Sequence, residues 1–325
     1  MSKLNLESNT GLEHSTLNSQ TKMKCLICNS EDQKVLYDGI KDFEYETYKP
    51  VDYFKCNNCS LIYQFPIPRP EELKDFYPEE YRNYLPIQKS FFSFLKKAQF
   101  KDLANKIINA LNKNNKDEKI LDIGFGNGQL LTALKQIGYK DLYGSDFTDK
   151  TFSNLKNTGI SLKVCNLEED FPFDKTFDLI IMNNVIEHFI NPLKVLESCK
   201  KHLSENGKII LITPNSHALE FSFFKRYWAG FHAPRHTFLF NPGNISNLAQ
   251  KLGFSNVIVK PMTDPGQISI SVQNFFQDTS FTKLKLKNGM AWYLMPLSVF
   301  CSPFAMFQNL LRRSTSMMCV LELGS

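Results

Sequence analysis

The sequence predicts an α/β fold, a doubly wound and mostly parallel sheet with a small cysteine-bearing module in front and an apolar helical segment before the last strand. Three observations predict it. Short apolar runs alternate with helical segments from Lys119 onward, four cysteines near the start occur as two C-x-x-C pairs, and an almost uncharged stretch runs from Met290 to Leu311. Strands alternating with crossover helices bury both faces of a parallel sheet. With 325 residues, 42% hydrophobic and 22% charged, the chain can bury the cores of about two structural units. A net charge of +5 is too small to argue for a nucleic-acid partner.

Taken in order, residues 1–22 are polar and rich in Ser, Asn and Thr, without a signal-like apolar run, and are expected to be a disordered tail of a cytoplasmic protein. Residues 23–65 hold Cys25-Leu-Ile-Cys28 and Cys56-Asn-Asn-Cys59. Four thiolates at this spacing can close a tetrahedron on Zn²⁺, and because none of the four positions is left to water the site reads as structural. Cys165, Cys199, Cys301 and Cys319 stand among apolar neighbours and read as small core residues. The Pro-rich run Phe65 to Pro70 opens a unit at 66–112, a linker with a tyrosine-rich stretch to Tyr84 and an amphipathic helix carrying Leu103, Ile107 and Leu111.

The main domain is expected over 113–260. Strands are predicted at Lys119–Ile123, Asp141–Gly144, Ser161–Cys165, Phe177–Asn183 and Gly207–Thr213. The intervening helices are predicted at Gly128–Gly138, Thr151–Gly159, Asn191–Leu203 and Asn244–Gly253. The remainder, 261–325, combines the apolar stretch with a final strand over Met317–Leu323.

The strand Ile120-Leu-Asp122-Ile runs into Gly124-Phe-Gly126-Asn-Gly128, and Asp146 follows at the end of the next strand. Glycines there let a backbone approach a ligand, and a carboxylate at that point can accept hydrogen bonds from ribose hydroxyls. Position 129 is Gln, so the G-x-G-x-x-G dinucleotide fingerprint is broken and the spacing is D-x-G-x-G-x-G. This resembles the first motif of class I S-adenosylmethionine-dependent methyltransferases. The resemblance implies S-adenosylmethionine as cofactor, held by Asp122, Gly124, Gly126, Gly128 and Asp146, with Asn166 and Leu167 edging the adenine and Asn183 at the end of the fourth strand. The run Asn183-Asn184-Val-Ile-Glu187-His188 resembles the ubiquinone O-methyltransferase branch, with Asn184 where some of that branch carry a Mg²⁺-binding Glu. The cysteine pairs, with Leu61-Ile-Tyr63, Pro66 and Phe76-Tyr77 to Tyr81, resemble the zinc-containing front end of bacterial sugar and polysaccharide-locus methyltransferases.

An aromatic insert at 214–240 leaves the carboxyl edge of the predicted sheet, where ligands of open α/β sheets bind, and contains Trp228, His232, Arg235 and His236. Rings that stack, an anion clamp and imidazoles that take a proton suit a hydroxyl-bearing acceptor. The expected activity is methyl transfer to a hydroxyl of a sugar-containing or lipid-linked acceptor in cell-surface glycan biosynthesis. His236, His232 and His188 are the candidate proton acceptors in that order, and the rival role for the first two is to brace the insert. The alternatives are O-methylation of a quinone or apolar phenol, a non-catalytic zinc-knuckle scaffold, and carbon methylation of a keto sugar. Met290 to Leu311 reaches the length of a membrane span, but Pro296 and Pro303 would break it and the last strand must return. It is expected either to touch the inner membrane face peripherally, between flanking Lys283, Lys285, Lys287, Arg312 and Arg313, or to form core helices.

Overall fold

A computed structural model describes residues 23–84, 91–111, 115–279 and 285–323, side chains of 91–93 excepted; the tail expected over 1–22 lies outside the described residues. The chain begins with the antiparallel strands β1 (Gln33–Ile40), β2 (Val51–Cys56) and β3 (Ile62–Phe65), followed by a long helix α1 (Phe91–Leu111). Then come β4 (Ile120–Ile123), α2 (Gln129–Gln136), β5 (Leu142–Asp146), β6 (Ser161–Val164), β7 (Phe177–Asn183), α3 (Pro192–Lys201) and β8 (Leu203–Pro214). The insert supplies α4 (Leu219–Phe224) and the short strand β9 (Phe238–Leu239), and α5 (Pro242–Lys251) and β10 (Asn256–Met262) follow. The chain closes with α6 (Pro265–Thr279), α7 (Leu294–Leu310) and β11 (Ser316–Glu322).

Seven strands form one sheet in the order β10-β11-β8-β7-β4-β5-β6. Its pairs from β6 to β8 are parallel, and β11 runs antiparallel between β8 and β10. Local chemistry explains the elements. All four residues of β4 are buried, as a central parallel strand requires. Asn191 and Asn241 cap α3 and α5 by accepting the amides of Lys194 and Asn244, each ahead of a proline at the first helical position. The helix expected over Thr151–Gly159 is instead a single 3₁₀ turn, Phe152–Leu155, because Asn157 (φ 62°) and Gly159 (φ 74°) turn the chain left-handed. The sequence reading also passed over β10 and α6.

One core lies between α1, α2 and the sheet, with Ala104, Ile107, Leu131 and Leu179 at its centre. The other face is covered by α3, α5 and the small N-terminal sheet together, so that Cys56, Leu61 and Tyr63 share a core with Ile180, Leu196 and Leu248. The small sheet is completed from far along the chain: β9 pairs with β3, Ile62 opposite Leu239 and Tyr63 opposite Phe238. Residues expected as a separate module at 23–65 and an insert at 214–240 are thereby one body, buried around Tyr53, Trp228 and Phe231. Among the described residues, no helix is long and apolar enough to cross a membrane.

Candidate active site

Two hollows meet beyond the carboxyl ends of β4, β5 and β7, where the strand order reverses and an open α/β sheet leaves a crevice. The first is a cleft of about 380 Å³ lined by Gly124, Gly126, Asp146 and Asn166 on one side and by Tyr77, Tyr81 and Tyr84 on the other. Gly124 and Gly126 have φ of +66° and +53°. A Cβ on Gly124 would stand 2.6 Å from Val185, whereas one on Gly126 would meet no atom within 4 Å and would take up ligand space. Asp146 accepts the Gly126 amide at 3.0 Å through Oδ2, and its buried Oδ1 has no partner. Burial pushes Asp146 up to about 6 despite the amides of Gly126, Thr148 and Phe147 that favour its anion. A spare carboxylate oxygen beside an open glycine cradle fits a ribose diol, so the cleft suits the nucleoside of S-adenosylmethionine.

The remaining cofactor candidates, Asp122, Gly128, Leu167 and Asn183, do not line the cleft. Gly128 (φ 78°) starts α2 against Leu155, and Asp122 is buried at 2% exposure, its pKa raised by burial and then by the Asp146 charge. Leu167 belongs to the core, and Asn183 lines a neighbouring hollow beside α1. Asn184, turned into the left-handed region at φ 54°, is the residue of that pair that faces the cleft.

The second hollow, about 230 Å³, shares Tyr81, Asn83, Asn184 and His188 with the cleft and adds Arg82, His232, His236, Asp264 and Gln267. Its three histidines stand within 6.5 Å of one another, centroid to centroid, with His188 and His236 4.6 Å apart. Their tautomers follow from their partners. His188 Nδ1 is 3.0 Å from the Arg235 carbonyl, which can only accept, so Nδ1 carries the proton; Tyr77 Oη is also 3.0 Å from Nδ1, and the Asn184 backbone meets the ring as well. His236 Nδ1 likewise donates to the Gly230 carbonyl at 2.8 Å, and its Nε2 lies 3.9 Å from Glu187 Oε1, a buried oxygen with no hydrogen-bond partner. Glu187 accepts Thr213 Oγ1 at 3.0 Å, and burial pushes its carboxyl up to about 8. Burial holds His188 down at about 3 and His236 well below its ordinary value, so both rings are neutral near pH 7.

His232 is bound at both nitrogens. It donates Nδ1–H to Glu44 at 2.5 Å and accepts Arg235 Nε–H at Nε2, 2.9 Å away. Arg235, 1% exposed, spends all five of its N–H groups: on Asp42 through both Nη atoms (3.1 and 2.7 Å), on the carbonyls of Phe76 and Ala233, and on His232. Burial alone would raise Asp42, but the guanidinium holds its carboxyl below the usual range. Arg82 pairs with Glu44 at 3.2 Å and closes the network. The N-terminal sheet reaches the insert once more through Tyr53, whose hydroxyl donates toward the carbonyls of His236 (2.8 Å) and Phe231 (3.1 Å). Asp42 and Glu44 had no role in the sequence reading, since nothing local marks them, whereas Tyr77 and Tyr81 belong to the tyrosine-rich stretch that carried the front-end resemblance.

The four N-terminal cysteines converge, with Cys25 Sγ 3.5 Å from Cys59 Sγ and Cys28 Sγ 3.5 Å from Cys56 Sγ. The edge of a tetrahedron of sulfurs around zinc is about 3.8 Å, so the donor set and its spacing fit that ion.

This strand order, glycine turn and β5 carboxylate define a class I methyltransferase fold. The chain belongs to the methyltransferase-domain family, whose profile matches residues 95–259. Over 155 residues it is 31% identical to an uncharacterized protein of Methanocaldococcus jannaschii, covering 46% of this chain and 64% of that protein. Over 114 residues it is 31% identical to the human mitochondrial ubiquinone biosynthesis O-methyltransferase, covering 32% of this chain and 31% of that enzyme. The chain thus spans less than two thirds of the length of either relative. Among solved structures, Haemonchus contortus phosphoethanolamine N-methyltransferase 2 shares the fold with a TM-score of 0.52 over 81% of this chain and 62% of that one, at 17% identity.

Proposed function

We propose that the chain is an S-adenosylmethionine-dependent methyltransferase that methylates a hydroxyl of a sugar-containing acceptor, including lipid-linked ones, in cell-surface glycan biosynthesis. A structural zinc ion at Cys25, Cys28, Cys56 and Cys59 holds the front sheet in this reading. The observation that carries the proposal is the common wall of the two hollows: Tyr81, Asn83, Asn184 and His188 face both the cofactor cleft and the second cavity. When bound, S-adenosylmethionine supplies an electrophilic methyl group. The chain's part is to hold an acceptor oxygen in line and take its proton.

His188 is the favoured proton acceptor, since it alone of the three histidines lines both hollows. His236, with a bare Nε2 beside Glu187, comes second. His232, with both nitrogens engaged, acts by positioning Arg235 and Glu44. The order drawn from sequence, with His236 first, is therefore revised. The second cavity is lined largely by polar and charged side chains, including Glu44, Arg82, Asn83, Asp264 and Gln267, which suits a polyhydroxylated acceptor better than a quinone or apolar phenol.

The test is methyl transfer from labelled S-adenosylmethionine to nucleotide-sugar and lipid-linked sugar fractions, with phenolic quinone precursors in parallel. His188→Ala should keep affinity for S-adenosylhomocysteine while slowing transfer by about 10²–10⁴-fold. Labelling of the phenols alone would overturn the acceptor class. An undiminished rate in His188→Ala would overturn the role of that residue.

A further inference from the structure

The last two helices bury many polar side chains and expose many apolar ones. Beside Ile268, Leu294 and Ala305, their protein-facing sides carry Gln267, Ser269, Ser271, Gln273, Asn274 and Gln308, all buried. These are paired with one another and with the body of the protein: Ser269 with Ser298 at 2.9 Å, Gln273 with the Ala291 amide at 2.8 Å, and Gln308 with the amides of Leu219 and Glu220 at 3.0 and 3.2 Å. The sides that face away carry Val299, Phe300, Met306, Phe307, Leu310 and Leu311, between 47% and 82% exposed, with Trp292 beside them at 88%. An amphipathic surface helix in water has the opposite pattern, and a contiguous exposed apolar face of this kind marks an interaction surface.

Charge decides between occupants. From 285 to 321 the chain has no Asp or Glu, and its charged residues are Lys285, Lys287, Arg312 and Arg313, which bracket the apolar face at its two ends. A two-fold contact with a second copy would set this basic rim against itself, whereas an anionic bilayer complements it while receiving the apolar side chains. A 17-residue helix with Pro303 inside it and an antiparallel strand returning after it does not cross. We propose that α6 and α7 dock in the plane of an anionic membrane surface, with Trp292, Phe300 and Leu310 entering the headgroup–acyl boundary. The same helix joins that face to the active site, since Gly266, Gln267 and Ile270 of α6 line the second cavity while Phe275 and Phe276 are exposed further along it. The docking stands whether or not the acceptor proves to be a sugar.

The test is co-sedimentation of the full zinc-replete chain with vesicles of phosphatidylcholine alone or mixed with phosphatidylglycerol, alongside light scattering for oligomeric state. The wild type should pellet with the anionic vesicles, release with rising salt and stay in solution with phosphatidylcholine alone. Phe300→Ser/Leu310→Ser should weaken partitioning at least tenfold, and Lys285→Gln/Lys287→Gln/Arg312→Gln should remove the dependence on phosphatidylglycerol. Both variants alter exposed side chains and should bind S-adenosylhomocysteine as the wild type does, which separates lost docking from lost folding or lost cofactor binding. Absence of binding to anionic vesicles would overturn the proposal. So would partitioning unchanged by the apolar substitutions, or a dimer that Phe300→Ser/Leu310→Ser dissociates with no vesicle binding.

Discussion

The Asp42–Arg235 pair ties the N-terminal, cysteine-bearing part of the chain to the aromatic insert across 193 residues of sequence, and Asp42→Asn tests that tie. Both side chains are almost wholly buried, 1% and 0% exposed, and every guanidinium N–H is used. The substitution keeps the shape of the side chain but removes its charge and turns an amide donor toward other donors. Breaking one partner of a buried pair strands the other, at a cost of about 3–5 kcal/mol. With an unfolding entropy of about 2.1 cal/mol/K per residue over 325 residues, this lowers Tm by about 4–7 °C. Removing both charges with Asp42→Leu/Arg235→Met should restore much of the loss, because no unpaired ion then remains. Thermal and urea unfolding of the two single variants and the double variant measure this directly. A cost below about 1 kcal/mol for Asp42→Asn, or a double variant worse than both singles, would refute the reasoning.

Three further outcomes are expected. Asp146→Ala loses the carboxylate that the cleft offers to ribose, and calorimetry should show S-adenosylhomocysteine binding about 10–100-fold more weakly, as the loss of a charge-assisted hydrogen bond predicts; affinity within twofold of wild type would sink the assignment. Glu187, pushed up to about 8 by burial, is protonated below that pH and becomes, above it, a carboxylate 3.9 Å from His236 that supports proton uptake by the histidines. The methylation rate should therefore rise through about pH 8 and the rise should vanish in Glu187→Gln. The raised pKa also stabilises the fold most below the ordinary carboxylate pKa, and this contribution is lost as pH rises through about 8, so Glu187→Gln should gain on the wild type in urea unfolding at alkaline pH. Finally, elemental analysis should find one zinc per chain, and Cys56→Ser should bring it close to none with a lower Tm, since structural zinc contributes folding free energy.

Features whose chemistry is local were legible from the sequence. The apolar run, the glycine turn and Asp146 stand within 27 residues and read directly as a parallel strand feeding a ligand cleft, as do the paired cysteines and the asparagine–proline starts of α3 and α5. The helix expected over Thr151–Gly159 shrinks to the 3₁₀ turn Phe152–Leu155, because the left-handed backbone at Asn157 and Gly159 ends it.

Everything that depends on distant segments meeting was decided by the tertiary structure. The sequence by itself determined the fold class, the glycine turn and the thiol set, because hydrophobic period, glycine conformation and ligand spacing act over a few residues. Only the folded chain put β9 beside β3, bound Glu44 to His232 and Asp42 to Arg235, and left His188 as the histidine that faces both hollows. The hydrogen-bonding state of the three histidines follows from which carbonyls and side chains the fold sets beside each ring. The side of α7 that meets water follows from which face its neighbours cover. Neither is encoded in residue type or spacing.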